Sequence, residues 1–154
     1  MSAGQGEGRL TVVAHELRET GGQEKVTLRT VEGLLARGWS VRVVARRCDL
    51  PAQPGLQVFR VPGPRRPALL GSVWFFLAGG LVTAVRRRGL VHVVGPVVPN
   101  RADVVTAHFC HAAFDRVSRE HGLRRASRGG ALYRAHELLA AAVFRLFERL
   151  CYRP

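Results

Sequence analysis

Acidic residues, cysteines and lysines are all scarce in this sequence of 154 residues. Asp and Glu together number 11 against 24 Lys and Arg, and Lys25 is the sole lysine. Cys48, Cys110 and Cys151 are an odd number without paired spacing, which does not suit a disulfide framework and favours reduced thiols in a cytosolic protein. Residues 1–9 lack the basic and then apolar order of a secretory signal, and we expect them to form a flexible leader.

The charge balance is the outlying property of the composition. The excess of basic residues gives a formal charge of +13 at pH 7 and an isoelectric point near 11.6. Such a balance predicts an anionic partner, either nucleic acid, an acidic membrane surface or a phosphorylated substrate, although a compositional preference for Arg would also produce it. A hydrophobic content of 47% is ample for the core of one domain, and the sequence has no internal repeat or low-complexity tract.

The first third of the chain has the pattern of a strand, a helix and a second strand. Residues 10–14 are apolar and β-branched, and residues 40–45 repeat that pattern after a helix that Gly38 ends. Gly21 and Gly22 lie where the helix starts. Because glycines let a ligand approach the backbone and the free N–H groups of a first helical turn attract anions, this βαβ unit suits a phosphate-binding site. A tight turn that only joins the strand to the helix would show the same two glycines. The predicted buried face of the helix consists of Thr27, Leu28, Val31, Leu34 and Leu35.

Further strands and helices follow along the chain. Strands are predicted at residues 56–61, 90–94 and 103–107, and helices at residues 68–85 and 131–152. Residues 115–130 are polar and strongly basic, and we predict an exposed loop or a broken helix there. The order of the elements predicts an α/β fold with an open, doubly wound parallel sheet flanked by helices.

Residues 68–85 form the most apolar part of the chain. These 18 residues contain no charge and are followed by Arg86, Arg87 and Arg88, which resembles a short membrane-spanning helix with a cytoplasmic stop. Several glycines and polar residues interrupt the run, and spanning would separate the two halves of the predicted sheet. We therefore expect a helix buried between the sheet and a neighbouring helix, with its basic end facing solvent.

A histidine follows one of the predicted strands. His108 comes directly after residues 103–107, so it is expected at the carboxyl edge of the sheet, where the Gly21–Gly22 loop also lies and where open α/β sheets bind ligands. Cys110 and His111 lie close by, but three potential ligands within four residues would point in different directions, and no second cluster completes a metal site. We expect no metal, and we expect Cys110 to be a packed thiol rather than a nucleophile.

Several of these segments together resemble the start of family 4 glycosyltransferases. The string Gly21-Gly22-Gln23-Glu24 matches the Gly-Gly-x-Glu loop of that family, and residues 34–44 resemble its helix exit and second strand, with Trp39 in place of the usual His. Residues 91–96 resemble the Val-His-x-x-Gly-Pro strand of the family, and residues 102–109 resemble its strand that ends in Thr-x-His. The resemblance extends over nearly the whole chain.

The resemblance implies the N-terminal, acceptor-side half of a GT-B fold: a Rossmann-like sheet over residues 10–154, incomplete at its C-terminus. It implies transfer of a sugar from a nucleotide-sugar donor to an acceptor hydroxyl with retention of configuration, in a cleft shared with a second domain, and it implies no cofactor besides this donor. Gly21 and Gly22 would contact the donor phosphate, and His108 would hydrogen-bond the reacting sugar or the acceptor. Without a donor-binding domain or chain, we expect little or no transfer.

The expected partners are the nucleotide sugar and a lipid-linked, cell-wall or small-molecule acceptor. The basic segment would attract anionic lipid headgroups or a phosphate-bearing acceptor. Its arginines are Arg116, Arg119, Arg124, Arg125 and Arg128. We expect a cytoplasmic protein that can associate with the inner face of the membrane. The alternative is a basic, non-enzymatic module for nucleic acid or an anionic membrane, but aromatic residues are not interleaved with the arginines, and we expect no nucleic-acid binding.

Overall fold

A parallel sheet of five strands lies at the centre of the protein. The structure is a computed structural model that describes residues 8–122 and 130–152. Its elements in chain order are β1 (Arg9–Val13), β2 (Glu16–Leu17), α1 (Gly22–Leu35), β3 (Ser40–Ala45), β4 (Arg47–Cys48), β5 (Leu56–Arg60), α2 (Ala68–Arg86), β6 (Leu90–Val94), β7 (Val104–Thr106), α3 (His111–Glu120) and α4 (Ala131–Cys151). The strand order is β5-β3-β1-β6-β7, and β2 pairs with β4 in a separate two-stranded sheet.

The order of the strands defines where a ligand is expected. β1 pairs in parallel with β3 on one side and with β6 on the other, and β5 and β7 extend the sheet outward. Counted among these five strands, the order is 3-2-1-4-5, which agrees with a doubly wound sheet whose direction of winding reverses beside β1. The predicted α/β fold is therefore confirmed, and ligands of such sheets bind outside the carboxyl ends of the strands at this reversal.

Helices cover both faces of the sheet because successive strand residues point to opposite sides. In β1, Val12 belongs to a buried cluster with Leu28 and Val31 of α1, whereas Val13 belongs to a second cluster with Phe75 of α2. All five side chains are at most 1% exposed. The predicted inner face of α1 is confirmed for Thr27, Leu28 and Val31, while Leu34 and Leu35 are partly buried against the same cluster.

Helix α2 packs on the sheet along one face only. Phe75, Phe76 and Thr83 are buried, and the Phe76 ring stacks on Phe147 of α4 with centroids 3.9 Å apart. The opposite face carries five apolar side chains that are each about half exposed or more: Leu70, Trp74, Leu77, Leu81 and Val85. By length and composition α2 is the one helix among the described residues that could cross a membrane, with 33% of its apolar window buried. The expectation of a helix buried on both sides is wrong for this outer face.

Residues 115–120 differ from the prediction of an exposed loop or broken helix. They belong to α3, an unbroken helix in which Asp115 is 4% exposed and Ser118 is 2% exposed. A buried carboxylate is tolerated only when it is paired, and Asp115 Oδ2 accepts hydrogen bonds from Arg119 at 2.9 Å and Arg145 at 2.7 Å. The partner on α4 lies 30 positions downstream. Residues 123–129, the centre of the predicted basic loop, lie outside the described part of the chain.

The structure differs from the prediction in two places near the start of the chain. Arg9, assigned to the leader, is the first residue of β1, and the Gly8 carbonyl accepts a hydrogen bond from the Ser40 N–H at 2.9 Å. Residues 1–7 of the leader lie outside the described residues. β2 lies between β1 and α1, where no strand is predicted, and its pairing with β4 connects the ends of β1 and β3 at the carboxyl edge.

Candidate functional site

A cavity opens at the carboxyl edge of the sheet, where the fold predicts a ligand. Its volume is about 160 Å³. Four segments line it: Ala14, His15 and Glu16 after β1; Gln23, Glu24 and Thr27 of α1; Val94, Gly95, Pro96 and Val97 at the end of β6; and His108, Phe109 and His111 after β7, with Phe144 of α4. The start of α1 and His108 therefore face one space, as the spacing of the sequence predicts.

Gly21 and Gly22 begin α1 beside this cavity without lining it. Gly21 has a φ of 91°, which favours glycine, and an added Cβ would overlap the Glu24 carboxylate. Gly22 is exposed, and an added Cβ would meet no atom within 4 Å. No side-chain hydrogen bond caps the helix, so its first N–H groups have no side-chain acceptor at the positive end of the helix dipole. Gln23 and Glu24, rather than the glycines, share a wall with His108.

The Thr-x-His segment has a structural part and an exposed part. Thr106 Oγ1 lies 2.8 Å from His92 Nε2, and the Thr106 carbonyl accepts a hydrogen bond from the Gly95 N–H at 2.9 Å. These contacts connect the ends of β6 and β7. His108, two residues later, is exposed and lines the cavity. Burial lowers the pKa of His92, and the nearby His108 lowers it further.

His15 is a second histidine in the cavity, and the sequence interpretation assigned no role to it. Burial, reinforced by the charge of Arg46, lowers its pKa to about 4, while Glu16 acts in the opposite direction. Its ring centroid lies 4.6 Å from that of Phe75. The imidazole is therefore neutral at pH 7, with one nitrogen able to donate and one able to accept a hydrogen bond. Its position directly after an apolar strand is the same signal that identified His108.

An aromatic wall closes the cavity on the side of α3 and α4. The His111 ring stacks on Phe144 with centroids 4.6 Å apart, and Phe109 meets His111 edge-on at 4.8 Å. Cys110 provides no side-chain cap for α3, but the buried Glu148 carboxylate accepts hydrogen bonds from the N–H groups of His111 and, at 3.0 Å, Ala112. Burial lowers the pKa of His111, although Glu148 opposes this shift. A carboxylate from α4 thus holds the start of α3 in place.

The predicted anion-binding surface is only partly described. Arg116 and Arg119 lie on the exposed side of α3, and Arg119 also binds the buried Asp115 carboxylate at 2.9 Å. Arg119 is therefore partly neutralised by its own helix, a contact that the predicted loop did not include. The remaining three arginines, Arg124, Arg125 and Arg128, lie outside the described residues.

Potential metal ligands are dispersed over residues 8–122 and 130–152. Over these ranges no three His, Cys, Asp or Glu side chains lie close enough to hold a metal ion. Cys48 is a buried thiol, Cys110 is exposed, and the Cys151 thiol donates to the Val98 carbonyl at 2.9 Å. Burial raises the pKa of Cys151 to about 11. The expectation that Cys110 is packed is wrong, because its residue is exposed at the start of α3.

The chain matches a known protein family and is similar to solved structures. The model of Glycosyltransferase Family 4 matches residues 20–151. The crystal structure of WaaG, a glycosyltransferase involved in lipopolysaccharide biosynthesis, is similar with a TM-score of 0.66 and 18% sequence identity. The match covers 92% of this chain and 35% of the WaaG chain, so this chain spans about a third of that protein. No curated protein matches the chain significantly.

Proposed function

We propose, on the premise that this chain belongs to glycosyltransferase family 4, that it forms the acceptor-side half of a retaining hexosyltransferase. The reaction would move a sugar from a nucleotide-sugar donor to an acceptor hydroxyl. One observation carries the proposal: Gln23 and Glu24, in the first turn of α1, line the same cavity as His108 at the carboxyl edge of the sheet. Such a position suits a ligand that carries both a phosphate and a sugar.

The donor phosphate is assigned to the start of α1. As the sugar departs, negative charge accumulates on the diphosphate, and fixed N–H dipoles stabilise that charge more in the transition state than in the ground state. α1 offers uncapped N–H groups next to Gly22, whose open surroundings allow a phosphate to approach the backbone. The contribution of the protein at this point is electrostatic and involves no covalent intermediate with the phosphate.

The sugar and the acceptor are assigned to the histidine side of the cavity. His108 is exposed at its rim and can hydrogen-bond a hydroxyl of either molecule. The neutral His15 imidazole lies deeper, beside Phe75. It can accept a hydrogen bond from a hydroxyl because one of its ring nitrogens carries no proton. In this assignment both histidines orient hydroxyl groups relative to the phosphate at the start of α1.

Transfer is expected to require a second, donor-binding domain or chain. The cavity of about 160 Å³ is small beside the roughly 300–1,000 Å³ of ordinary small-molecule sites. A half-cleft of this size cannot enclose a nucleotide sugar or exclude water from it. Release of the nucleotide diphosphate from the donor measures the reaction directly. A rate in the ordinary range of about 1–1,000 per second with this chain alone would contradict the requirement.

Donor binding tests the site assignment. Isothermal titration with a panel of uridine- and guanosine-diphosphate hexoses is expected to show binding that is lost in Gly22→Val and weakened about 10-fold in His108→Ala. Gly130→Val is the matched control for the first variant, because Gly130 also lies at an open helix start. His121→Ala, an exposed histidine at the end of α3, is the control for the second. Unchanged binding in both site variants would remove the assignment.

We also propose that the protein associates with anionic membranes through α2. Its five exposed apolar side chains form a stripe at steps of three and four residues, which is the pattern of a helix lying in a membrane interface. The stripe consists of Leu70, Trp74, Leu77, Leu81 and Val85. Arg86 and Arg88 follow it, and Arg88 lines a cavity of about 260 Å³ with Arg9 and Arg42. Desolvation lowers the pKa of Arg42, and the positive charges of Arg88, Arg86 and Arg9 lower it further.

Vesicle sedimentation tests this association. Binding is expected for vesicles containing phosphatidylglycerol, less binding for neutral phosphatidylcholine vesicles, and a further loss in the Leu77→Gln, Leu81→Gln double variant. Val26→Gln, which changes an exposed apolar residue on α1, is the control. Equal binding to neutral vesicles or no effect of the double variant would contradict the proposal. A chain that stays in the membrane pellet after a high-salt, alkaline wash would instead be integral.

A further inference from the structure

A second cavity lies between α3 and α4 and adjoins the candidate site. Its volume is about 530 Å³. The lining consists of Phe109, His111, Phe114, Asp115, Ser118, Tyr133, His136, Glu137, Ala140, Ala141 and Phe144. Phe109, His111 and Phe144 line both cavities, so the two spaces share one aromatic wall. The two cavities are therefore adjacent, on either side of these three rings.

The lining of the second cavity suits a hydrocarbon group. Phe109, Phe114 and Tyr133 are each about half exposed, at 46%, 53% and 51%, although aromatic rings are usually buried in a core. Exposed apolar surface gathered in a concave site is typical of a ligand-binding groove. The one deeply buried charge in the lining, Asp115, is paired with Arg119 and Arg145 and so does not oppose an apolar occupant.

A polar group within the second cavity is left without a partner. Ser118 is 2% exposed, and its hydroxyl oxygen forms no hydrogen bond among the described residues. An unsatisfied hydroxyl at such a depth costs free energy unless a ligand or water completes it. An oxygen at the junction between a sugar and a hydrocarbon chain would provide this hydrogen bond. Ser118 thus adds an unpaired hydroxyl to a lining that combines aromatic and small residues with the polar side chains of Asp115, His136 and Glu137.

We infer that the second cavity, called the cleft below, binds the alkyl chain of an amphiphilic acceptor. The hydroxyl-bearing head of this acceptor occupies the cavity beside His108. This inference rests on the proposed function for the role of the head as acceptor, whereas the binding of the chain can be tested by itself. The inferred class of acceptor is a glycoside or glycolipid with a linear hydrocarbon chain. Polar acceptors without such a chain would leave the aromatic wall exposed to water.

Chain-length dependence is the direct test. Octyl β-glucoside and methyl β-glucoside, both kept below the micelle concentration, carry the same sugar and differ by seven methylenes. Burial of about half of these methylenes predicts about 100-fold tighter binding of the octyl compound, measured by titration calorimetry on the whole chain. Ser118→Ala is expected to weaken octyl glucoside binding about five-fold through the lost hydrogen bond. Equal affinity for the two glucosides would overturn the inference.

Variants that fill the cleft locate the bound chain. Ala141→Trp is expected to abolish the preference for the octyl compound, and Ala142→Trp is the matched control because Ala142 is exposed and outside the lining. Ala140→Leu provides a milder filling variant if the tryptophan prevents folding, as judged by circular dichroism. A preference that survives filling but is lost in Leu77→Gln would place the chain on the outer stripe of α2 and overturn the inference.

The same titrations separate this inference from the proposed function. Nucleotide-sugar binding is expected to be unchanged in Ala141→Trp, because the start of α1 does not line the second cavity. If the unaltered chain shows the octyl preference but binds no nucleotide sugar, the cleft stands as an alkyl-binding site and its role for an acceptor is overturned. If nucleotide sugars bind as proposed but the octyl preference is absent, the cleft inference alone is wrong.

Discussion

Removal of the Glu148 carboxylate would test how the aromatic wall of the candidate site is held. Glu148 is 6% exposed and accepts hydrogen bonds from the N–H groups of His111 and Ala112, 37 and 36 positions away in the sequence. In Glu148→Ala both groups lose their acceptor. Loss of a cap costs about 0.5–2 kcal/mol, and a buried unpaired donor costs about 1–3 kcal/mol. We expect the free energy of unfolding to fall by about 2–4 kcal/mol.

A more conservative variant separates charge from hydrogen bonding. Glu148→Gln keeps one carbonyl oxygen but replaces the other acceptor with an amide group, and it removes the charge that favours a helix N-terminus, so a loss of about 1–2 kcal/mol is expected. Urea denaturation followed by far-UV circular dichroism measures both variants. Thermal unfolding should show Glu148→Ala lowering the midpoint by about 5–10 °C.

A carboxylate at the other end of α3 gives the control. Glu120 is exposed, and Glu120→Gln should change the free energy of unfolding by no more than about 0.5 kcal/mol. The reasoning is refuted if Glu148→Ala falls within the same range as Glu120→Gln, because the start of α3 would then be held by other contacts. In that event the His111 ring should also keep its NMR chemical shifts in the variant.

Three further predictions concern the frame of the site. Thr11→Val should cost about 1–3 kcal/mol, because the buried Thr11 Oγ1 both donates to the Arg88 carbonyl and accepts from the Arg88 N–H. Gly21→Ala should cost about 1–3 kcal/mol through its φ of 91°, whereas Gly22→Ala should be nearly neutral. Since the pKa of His15 is lowered to about 4, the unfolded chain binds a proton first, and stability should fall by up to about 3 kcal/mol as the pH drops from about 6.5 to about 4.

Each of these predictions has a control on the same chain. Thr30 is exposed and bonds the Val26 carbonyl within α1, so Thr30→Val should have little effect in urea denaturation. The two glycine variants control each other, and equal stability of both would show that the backbone of Gly21 is not strained by a side chain. His15→Gln should flatten the acid dependence of unfolding, while His121→Gln should leave it unchanged. An NMR titration in which His15 gains its proton near pH 6.5 would contradict the lowered pKa.

The sheet could be predicted from the sequence because its three central strands, β1, β3 and β6, are largely buried on both faces. Residues 40–45 and 90–94 were predicted with the bounds that β3 and β6 have, since continuous β-branched runs indicate strands under two layers of helices. β1, β5 and β7 differ from the prediction by one residue at one or both ends. β2 and β4 were missed because two-residue strands are too short to show any periodicity.

Helix α3 could not be predicted because its burial depends on distant residues. Its composition is polar and basic, and such a segment is usually solvated. Arg145 pairs with the buried Asp115, and Glu148 caps the start of α3. Both partners belong to α4 and lie at least 30 positions away in the sequence. The hydrophobic pattern of a short stretch of sequence cannot reveal contacts between residues that lie so far apart. The alkyl-binding cleft was missed for the same reason, since it exists only where α3 and α4 meet.

The outer face of α2 shows a different limit of sequence interpretation. Composition predicts that an uncharged run of 18 residues is removed from water, but it does not say by what. In the structure glycines and phenylalanines make the inner contacts, as Gly71, Phe75 and Gly79 lie along the buried side, while larger aliphatic residues face outward. Among the described residues nothing covers the outer stripe of α2, so the predicted burial holds only for the inner face of this helix.

In open α/β sheets, ligand-binding groups follow the ends of the parallel strands. This rule predicted the location of the candidate site more reliably than it predicted which residues line the cavity. It placed α1 and His108 at one edge because parallel strands end together, and this geometry holds for any residue at those positions. Which side chain then enters the cavity depends on the turn that follows each strand. Gly21 and Gly22 do not line it, whereas Gln23 and Glu24 do, and His15 lines it beside Phe75. Applied to every strand end rather than to the family motifs alone, the same rule would have selected His15 together with His108.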